Sequence, residues 1–253
     1  MTDLAAGLVT DELAGVPGGV NLRQVAIPGI ADGRIARGGS PTWIEPSGAR
    51  QLVEVYGIRS ILDLRSDAEV ERYGEPEALV AAGIRWLRVP LTGYPSTAID
   101  AARPEPASFV PYFHGMLEAS AGCWPSIIEQ AASAATEPFL VACYCGKDRT
   151  GVVIAVLATL AGASRSDVAA DYARSALPLQ RDLDRFSDKW IKRGHTKEDW
   201  MARVDTKPAT MARWLQEVEE RHESMLAAVR AAGARPEHIE ALIQALRADA
   251  LEP

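Results

Sequence analysis

At 253 residues, with 47% hydrophobic and 24% charged side chains, the chain has ordinary globular composition and the length to bury a sizeable core. A formal charge of -7 excludes a broad nucleic-acid-binding face, which needs clustered Lys and Arg, so any anion site has to be local. No run reaches the roughly 18 to 20 apolar residues of a membrane span, the opening MTDLAAGLVTDELAGVPGGV is acidic where a secretory signal is basic, and three cysteines make no even disulfide framework, so a soluble, cytoplasmic protein without a transmembrane segment is expected.

In chain order, residues 1–19 read as a flexible lead-in to a single domain spanning 1–253. GRIARGGSP, residues 33–41, predicts a short strand ending in a Gly-Gly turn. PSGARQLVEVYG predicts a helix stopped at Gly57. IRSILDLR, residues 58–65, is rich in aliphatic residues and predicts a second strand. SDAEVERYGEPEALVAAG begins with a serine and acids, as helix starts do, and predicts a helix running to Gly83. IRWLRVPL, residues 84–91, alternates in the manner of a strand, and PFLVACYC, residues 138–145, is the near-continuous apolar run of a strand buried on both faces. TGVVIAVLATLAG is apolar on nearly every side, which places its helix inside the domain. Ser164, with Asp167 three residues on, caps the next helix.

In RDLDRFSDKWIKRGHTKEDWMARV, Leu183, Phe186 and Trp190 recur at helical spacing and predict a helix packed on the domain. From Met211 the apolar positions Trp214, Leu215, Val218, Leu226 and Val229 predict helix up to Gly233. Pro236 and Glu237 then open a last helix. Strand and helix patterns alternating in the first half, with helix alone at the end, predict an α/β fold: a central, mostly parallel sheet flanked by helices, with helical C-terminal additions.

The chemistry concentrates where the strand ending PFLVACYC meets the helix that follows. A helix start leaves N–H groups unpaired and carries a partial positive charge, and a loop that turns its own N–H groups inward makes an anion nest. In CYCGKDRT, Gly146 relieves crowding, Arg149 can hold two phosphate oxygens through its planar fork, and Cys143 lies at the bottom. The field that binds phosphate also favours a thiolate, so attack by Cys143 on a phosphomonoester, a cysteinyl-phosphate intermediate and hydrolysis by water are expected. Two carboxylates are candidates for the acid that protonates the leaving group, Asp148 inside the loop and Asp100 in GYPSTAIDAARPEP. Thr150 can donate a hydrogen bond to Cys143 and help the thiolate leave. None of this calls for a metal or other cofactor, and His114, His195, His222 and His238 are scattered rather than clustered at metal-ligand spacing.

CYCGKDRTG resembles the signature loop of the cysteine-dependent protein tyrosine phosphatase superfamily: Cys, five residues, Arg, then Thr-Gly. The wider chain resembles the bacterial tyrosine phosphatase branch, which includes secreted mycobacterial enzymes active on phosphotyrosine, phosphoserine/threonine and phosphoinositides. The likeness rests on NLR at 21–23, GRIARGGSP, DLRSDAE at 63–69, DYARS at 171–175 and the terminal IEALIQALRADAL, and runs from about residue 20 to the end. It implies Cys143 as nucleophile, Arg149 as phosphate clamp, Tyr144, Cys145, Gly146, Lys147 and Asp148 as the loop around the phosphate, and Asp148 as the favoured acid. It implies a phosphorylated protein, a phosphoinositide or a small-molecule phosphate as substrate, with Lys147 keeping inositol phosphates in play, and a helical lid over 180–206. Two positions depart from the family pattern, Ala142 where His is usual and Cys145 where Ala is usual.

Other readings stand beside this one. Cys143 can be a small core residue, and a loop without turnover would make a phosphate-binding module, which Ala142 keeps open and the intact Cys143, Asp148, Arg149 and Thr150 argue against. A rhodanese-like sulfurtransferase also places a cysteine between strand and helix, but lacks the Lys-Asp-Arg-Thr-Gly continuation. Cys145 can fill the slot of the usual Ala, or join Cys143 in a reversible disulfide if the two Cβ atoms come within about 4.5 Å. Asp63 and Arg65 read as a structural pair supporting the loop.

Overall fold

The computed structural model describes residues 13, 15–94, 109–192 and 194–247. Its centre is a five-stranded sheet in the order β1-β2-β5-β3-β4, formed by β1 (Arg23–Gln24), β2 (Ile35–Gly38), β3 (Ser60–Asp63), β4 (Arg85–Arg88) and β5 (Phe139–Ala142). β1 runs antiparallel to β2, and every other pairing is parallel.

The apolar run of β5 is explained by its central place between β2 and β3. Side chains alternate across a strand, so Phe139, Val141 and Cys143 enter one core with the helices Trp124–Ala134 and Asp148–Ala161. Leu140 and Ala142 enter the other, with Ala36, Ile61 and Leu52 of the helix Pro46–Glu54. A strand covered on both faces has no room for polar residues. Ala142, the position that departs from the family pattern, is part of that second core.

Register then brings three distant stretches to one edge. Ala142 pairs with Gly38 on one side and Asp63 on the other, so the Gly-Gly turn, the start of DLRSDAE and the loop after β5 meet at the carboxyl ends of the parallel strands. That edge is where open α/β sheets bind ligands. The helix Asp148–Ala161 runs back from it through the core and ends at Gly162, whose φ of 101° supplies the left-handed cap.

Several segments break more finely than periodicity predicts. The single helix expected over SDAEVERYGEPEALVAAG is two, Asp67–Tyr73 and Glu77–Ala81. Gly74 at φ 87° ends the first, and Pro76 bars an uninterrupted continuation. The first opens with a full capping box between Ser66 and Glu69. The helix before Gly57 is capped at Val55, two residues earlier than the glycine suggests. The run from Met211 to Val229 divides into Pro208–His222 and Met225–Ala231 at Glu223, a residue with φ 67°. The stretch from Leu183 is a 3-10 turn (Leu183–Phe186) followed by helices Ser187–Lys192 and Lys197–Val204.

Ser164 caps the helix Arg165–Ala173 by accepting the Asp167 N–H at 3.2 Å. The last helix, Pro236–Leu246, starts on its proline and buries Ile239, Leu242 and Leu246 in the same core as Trp214 and Val229. No helix among the described residues is long and apolar enough to cross a membrane.

Candidate active site

The chain leaves β5 at Ala142 and enters the helix at Asp148, so five residues, Cys143 to Lys147, form the turn. Gly146 has φ +67°, and a Cβ there would collide with the Gly38 carbonyl and sit 2.7 Å from Gly39 N. Only glycine permits both the backbone conformation and this approach to the Gly-Gly turn. In that conformation the Gly146 N–H donates to Cys143 Sγ at 3.3 Å. Cys143 is buried at the floor of a cleft of about 390 Å³, with Lys147, Asp148 and Arg149 on its walls and Tyr94, Tyr112 and Trp200 around them.

Beneath the loop lies a buried polar frame. Asn21 Nδ2 donates to the carbonyls of Cys145 (3.1 Å) and Gly146 (2.9 Å), and Arg37 Nη2 donates to the same Gly146 oxygen at 2.9 Å. Arg37 is held in turn by Asp171, which also faces Arg23. Arg23 donates to Asn21 Oδ1 (2.6 Å) and Ser175 Oγ (3.1 Å). Burial alone would push the Asp171 carboxyl up, but Arg37 and Arg23 hold it below the usual carboxylate range. NLR, GRIARGGSP and DYARS thus converge under the loop, and Asn21 and Arg37 order its carbonyls. Asn21 itself has φ 50°, a left-handed conformation that asparagine tolerates better than most residues.

Above the loop the arrangement differs from the sequence reading in one respect that matters for chemistry. Arg149 is occupied: Nη2 donates to Glu69 Oε1 at 2.8 Å, Nη1 reaches Glu69 Oε2, and Nη1 also donates to the Leu64 carbonyl at 3.2 Å. Lys189 Nζ, from the helix Ser187–Lys192, approaches the same carboxylate at 3.2 Å. Burial would raise the Glu69 carboxyl, but Arg149, Lys189 and the Ser66 N–H hold it well below the ordinary range. Glu69 is visible in sequence only as the acid of a Ser-x-x-Glu helix start. Nothing in the sequence marks Lys189.

The other loop residues are distributed between the cleft and the aromatic cluster beside it. Asp148 lines the cleft, with Oδ1 buried outside hydrogen-bond geometry and 3.2 Å from Lys147 Nζ. Lys147 Nζ donates to the Arg203 carbonyl at 2.7 Å and lies 4.2 Å from the centre of the Phe109 ring. Tyr144 and Cys145 touch the cleft, but both side chains belong to a cluster with Phe186, Trp190 and Trp200. The Tyr144 hydroxyl donates to Asp188 at 3.2 Å. What these two residues can offer a phosphate is backbone N–H. Burial and the neighbouring Cys143 push the Cys145 thiol up to about 12, which keeps it protonated, and all three cysteines are free. Thr150 Oγ1 is buried without a hydrogen-bond partner, so the expected bond from Thr150 to Cys143 is not formed.

Asp63 and Arg65 form a fully buried pair at 2.7 Å whose further side-chain hydrogen bonds run to Trp86 and Gly74, not to the loop. Asp63 accepts from Trp86 Nε1 at 3.0 Å, and Arg65 donates to the Gly74 carbonyl at 3.1 Å. The pair ties β3 to β4 and to the end of the helix whose first turn carries Glu69. Asp100 lies outside the described residues.

The profile of the tyrosine phosphatase family matches residues 15–248. The chain is similar to the triple specificity protein phosphatase PtpB of Mycobacterium tuberculosis, with 28% identity over 190 residues that cover 63% of this chain and 68% of that protein. Among solved structures it is similar to the core catalytic domain of the PP-IP phosphatase SIW14 from S. cerevisiae in complex with citrate. That likeness has a TM-score of 0.42 and 22% identity, and covers 72% of this chain and 94% of that one.

Proposed function

Because the chain belongs to the tyrosine phosphatase family, we propose that this cysteine-dependent phosphatase hydrolyses phosphomonoesters through a cysteinyl-phosphate intermediate on Cys143. The observation that carries the reading is the floor of the cleft, where Cys143 Sγ accepts the Gly146 N–H at 3.3 Å with Asp148 and Arg149 on the surrounding wall. A phosphate entering the loop takes the Arg149 fork from Glu69, exchanging one bidentate partner for another. The Cys143 thiolate attacks phosphorus, the S–P bond forms and the bond to the leaving oxygen breaks. Asp148 gives that oxygen its proton. Asp148, now a carboxylate, takes a proton from water as the water attacks phosphorus, and the S–P bond breaks to return the thiolate and release inorganic phosphate.

Aromatic residues lining the cleft, Tyr94, Tyr112 and Trp200 among them, favour an aryl phosphate such as phosphotyrosine as the first substrate class. The similarity to a phosphatase described as having triple specificity supports a range wider than that. Lys147 is the residue through which the family resemblance implies inositol phosphates, and its ammonium is spent on the Arg203 carbonyl and Asp148, so it serves such a ligand only after leaving them.

The test is phosphate release from an aryl phosphate in EDTA by the wild type and by Cys143→Ser, with acid quench to trap the phosphoenzyme. Release that survives EDTA, a trapped phosphoprotein and a loss on the order of 10³-fold or more in the variant are expected. Turnover that persists in Cys143→Ser would exclude the mechanism. If Asp148 is the acid, Asp148→Asn slows aryl phosphates with poor leaving groups far more than those with good ones, and equal slowing of both would remove that role.

A further inference from the structure

Two tyrosines, Tyr94 and Tyr112, line the cleft together with Cys143, Asp148 and Arg149, and the proposed steps use neither hydroxyl. Tyr112 comes from the helix Val110–His114 and is 4% exposed. Tyr94 is half-buried, and its segment is seated on the π-helical turn Gly115–Ala119. A Cβ on Gly115 would lie 3.4 Å from Tyr94 Cβ, and one on Gly93 would lie 3.5 Å from the Ala119 carbonyl oxygen. The two tyrosine rings meet edge to face with their centres 5.2 Å apart.

Burial raises both phenols above their ordinary value, so both hold their protons at neutral pH. The two hydroxyls are hydrogen-bonded to each other, and that bond pushes Tyr112 further up while it draws Tyr94 down. Tyr112 is therefore the donor and Tyr94 the acceptor. Tyr112 has placed its proton in this bond, while Tyr94 keeps its own to donate. The Tyr94 hydroxyl also lies within electrostatic reach of Arg149, Cys143 and Glu69: the clamp, the nucleophile and the side chain that phosphate displaces.

We propose that Tyr94 is a further catalytic residue, whose hydroxyl donates a hydrogen bond to an equatorial oxygen of the phosphoryl group as it passes to and from Cys143. Tyr112 is the positioning residue that turns this hydroxyl toward the cleft. The role rests on the Cys143 reaction proposed above. Phosphoryl transfer spreads negative charge over three equatorial oxygens. The Arg149 fork can hold two of them, and Tyr94 adds a donor from a separate segment of the chain. A donor already fixed by its neighbours needs no reorganisation as that charge develops. Tyr94 keeps its proton throughout, and the leaving oxygen still takes its proton from Asp148.

The experiment is Tyr94→Phe, which keeps the ring and removes the donor. On aryl phosphates kcat is expected to fall on the order of 10²-fold, by the same factor for good and poor leaving groups, in contrast to Asp148→Asn. Orthovanadate mimics five-coordinate phosphorus, so its affinity is expected to fall by a similar factor, while that of inorganic phosphate changes less than about threefold. A loss confined to poor leaving groups, unchanged vanadate affinity, or rates within about threefold of wild type overturns the proposal. If circular dichroism shows Tyr94→Phe unfolded, Tyr112→Phe takes its place. A fall of about tenfold in kcat, again independent of the leaving group, is then expected, and an unchanged kcat overturns the proposal. Failure of the Cys143 reaction is seen elsewhere, as turnover in Cys143→Ser. A trapped phosphoenzyme in the wild type together with wild-type rates in Tyr94→Phe removes Tyr94 alone.

Discussion

The two sides of the catalytic loop are built from the same ingredients, basic side chains against carboxylates, at different depths. Beneath it, Arg37 and Asp171 are 0% and 4% exposed, and the pair is continuous with Arg23 and Asn21. Above it, Glu69 and Lys189 are 15% and 22% exposed, and the next ion pair out, Arg72 with Asp188, is 46% and 35% exposed. A buried pair cannot separate without leaving an uncompensated charge away from water. A pair that lines an open cleft, as Arg149 and Glu69 do, can, because water and an incoming anion reach it to replace the lost partner. The underside is therefore a fixed frame, while the upper side is a set of contacts that substrate can exchange. On the upper side Arg149 waits on Glu69, Glu69 is shared with Lys189, and Lys147 rests on the Arg203 carbonyl.

This contrast is easiest to break from below. Asp171→Ala strands Arg23 and Arg37 and is expected to cost about 3–5 kcal/mol in urea unfolding, whereas Asp188→Ala on the upper side is expected to cost under about 1 kcal/mol. Equal losses would mean that depth does not separate the two sides. Gly146→Ala forces the loop away from Gly38 and moves the N–H that serves Cys143. A fall of about 100-fold in kcat/KM is expected from a displacement of that size, and near-wild-type rates would show that the loop tolerates another path.

Glu69→Gln sharpens the comparison because it weakens the internal competitor for Arg149. Inorganic phosphate is expected to bind up to about tenfold more tightly to the variant, a gain of up to roughly 1.4 kcal/mol. Weaker binding would instead make Glu69 a residue that positions Arg149 for phosphate. The same carboxyl makes a pH test. Its folded-state titration lies below the ordinary range, so its contribution to stability is complete above the unfolded value of about 4.3 and is lost as pH falls through the folded one. The stability difference between wild type and Glu69→Gln should thus stay level from pH 7 to about 5 and close only in stronger acid. A gap that closes near neutrality would place the titrating group elsewhere.

The smallest effect is expected at Lys189→Met, a few-fold change in KM with kcat nearly unchanged, since the pair it makes with Glu69 is partly solvated. If residues 180–206 act as a lid, the same variant, and saturating phosphate in the wild type, should raise their sensitivity to protease. Unchanged cleavage in both cases would leave that segment as static packing.

The strand β5, the turn after it and the buried helix Asp148–Ala161 were legible because their signals are local: an unbroken apolar run, a glycine and a helix start within residues 138–148. The same locality misled at Gly74 and Glu223, where apolar periodicity continued through a backbone break and one helix was read for two. Asn21, Arg37 and Asp171 sat inside recognisable motifs, yet their joint task was invisible. They are up to 150 positions apart, and sheet register and the packing of Arg165–Ala173 bring them together.

By itself, then, the sequence determined the class of chemistry, since a Cys, five residues and Arg ahead of a helix can be read without knowing what surrounds them. It determined as well strands β2 to β5 and the helices that follow them, because side-chain periodicity is written residue by residue, but it left β1 and the helix Trp124–Ala134 unread. Only the tertiary structure decided that Arg149 rests on Glu69, that Lys147 faces Arg203 and that Thr150 makes no bond to Cys143. Which partner a charged or hydroxyl side chain takes is set by what folding places within about 3 Å of it, and that is a property of the packed chain.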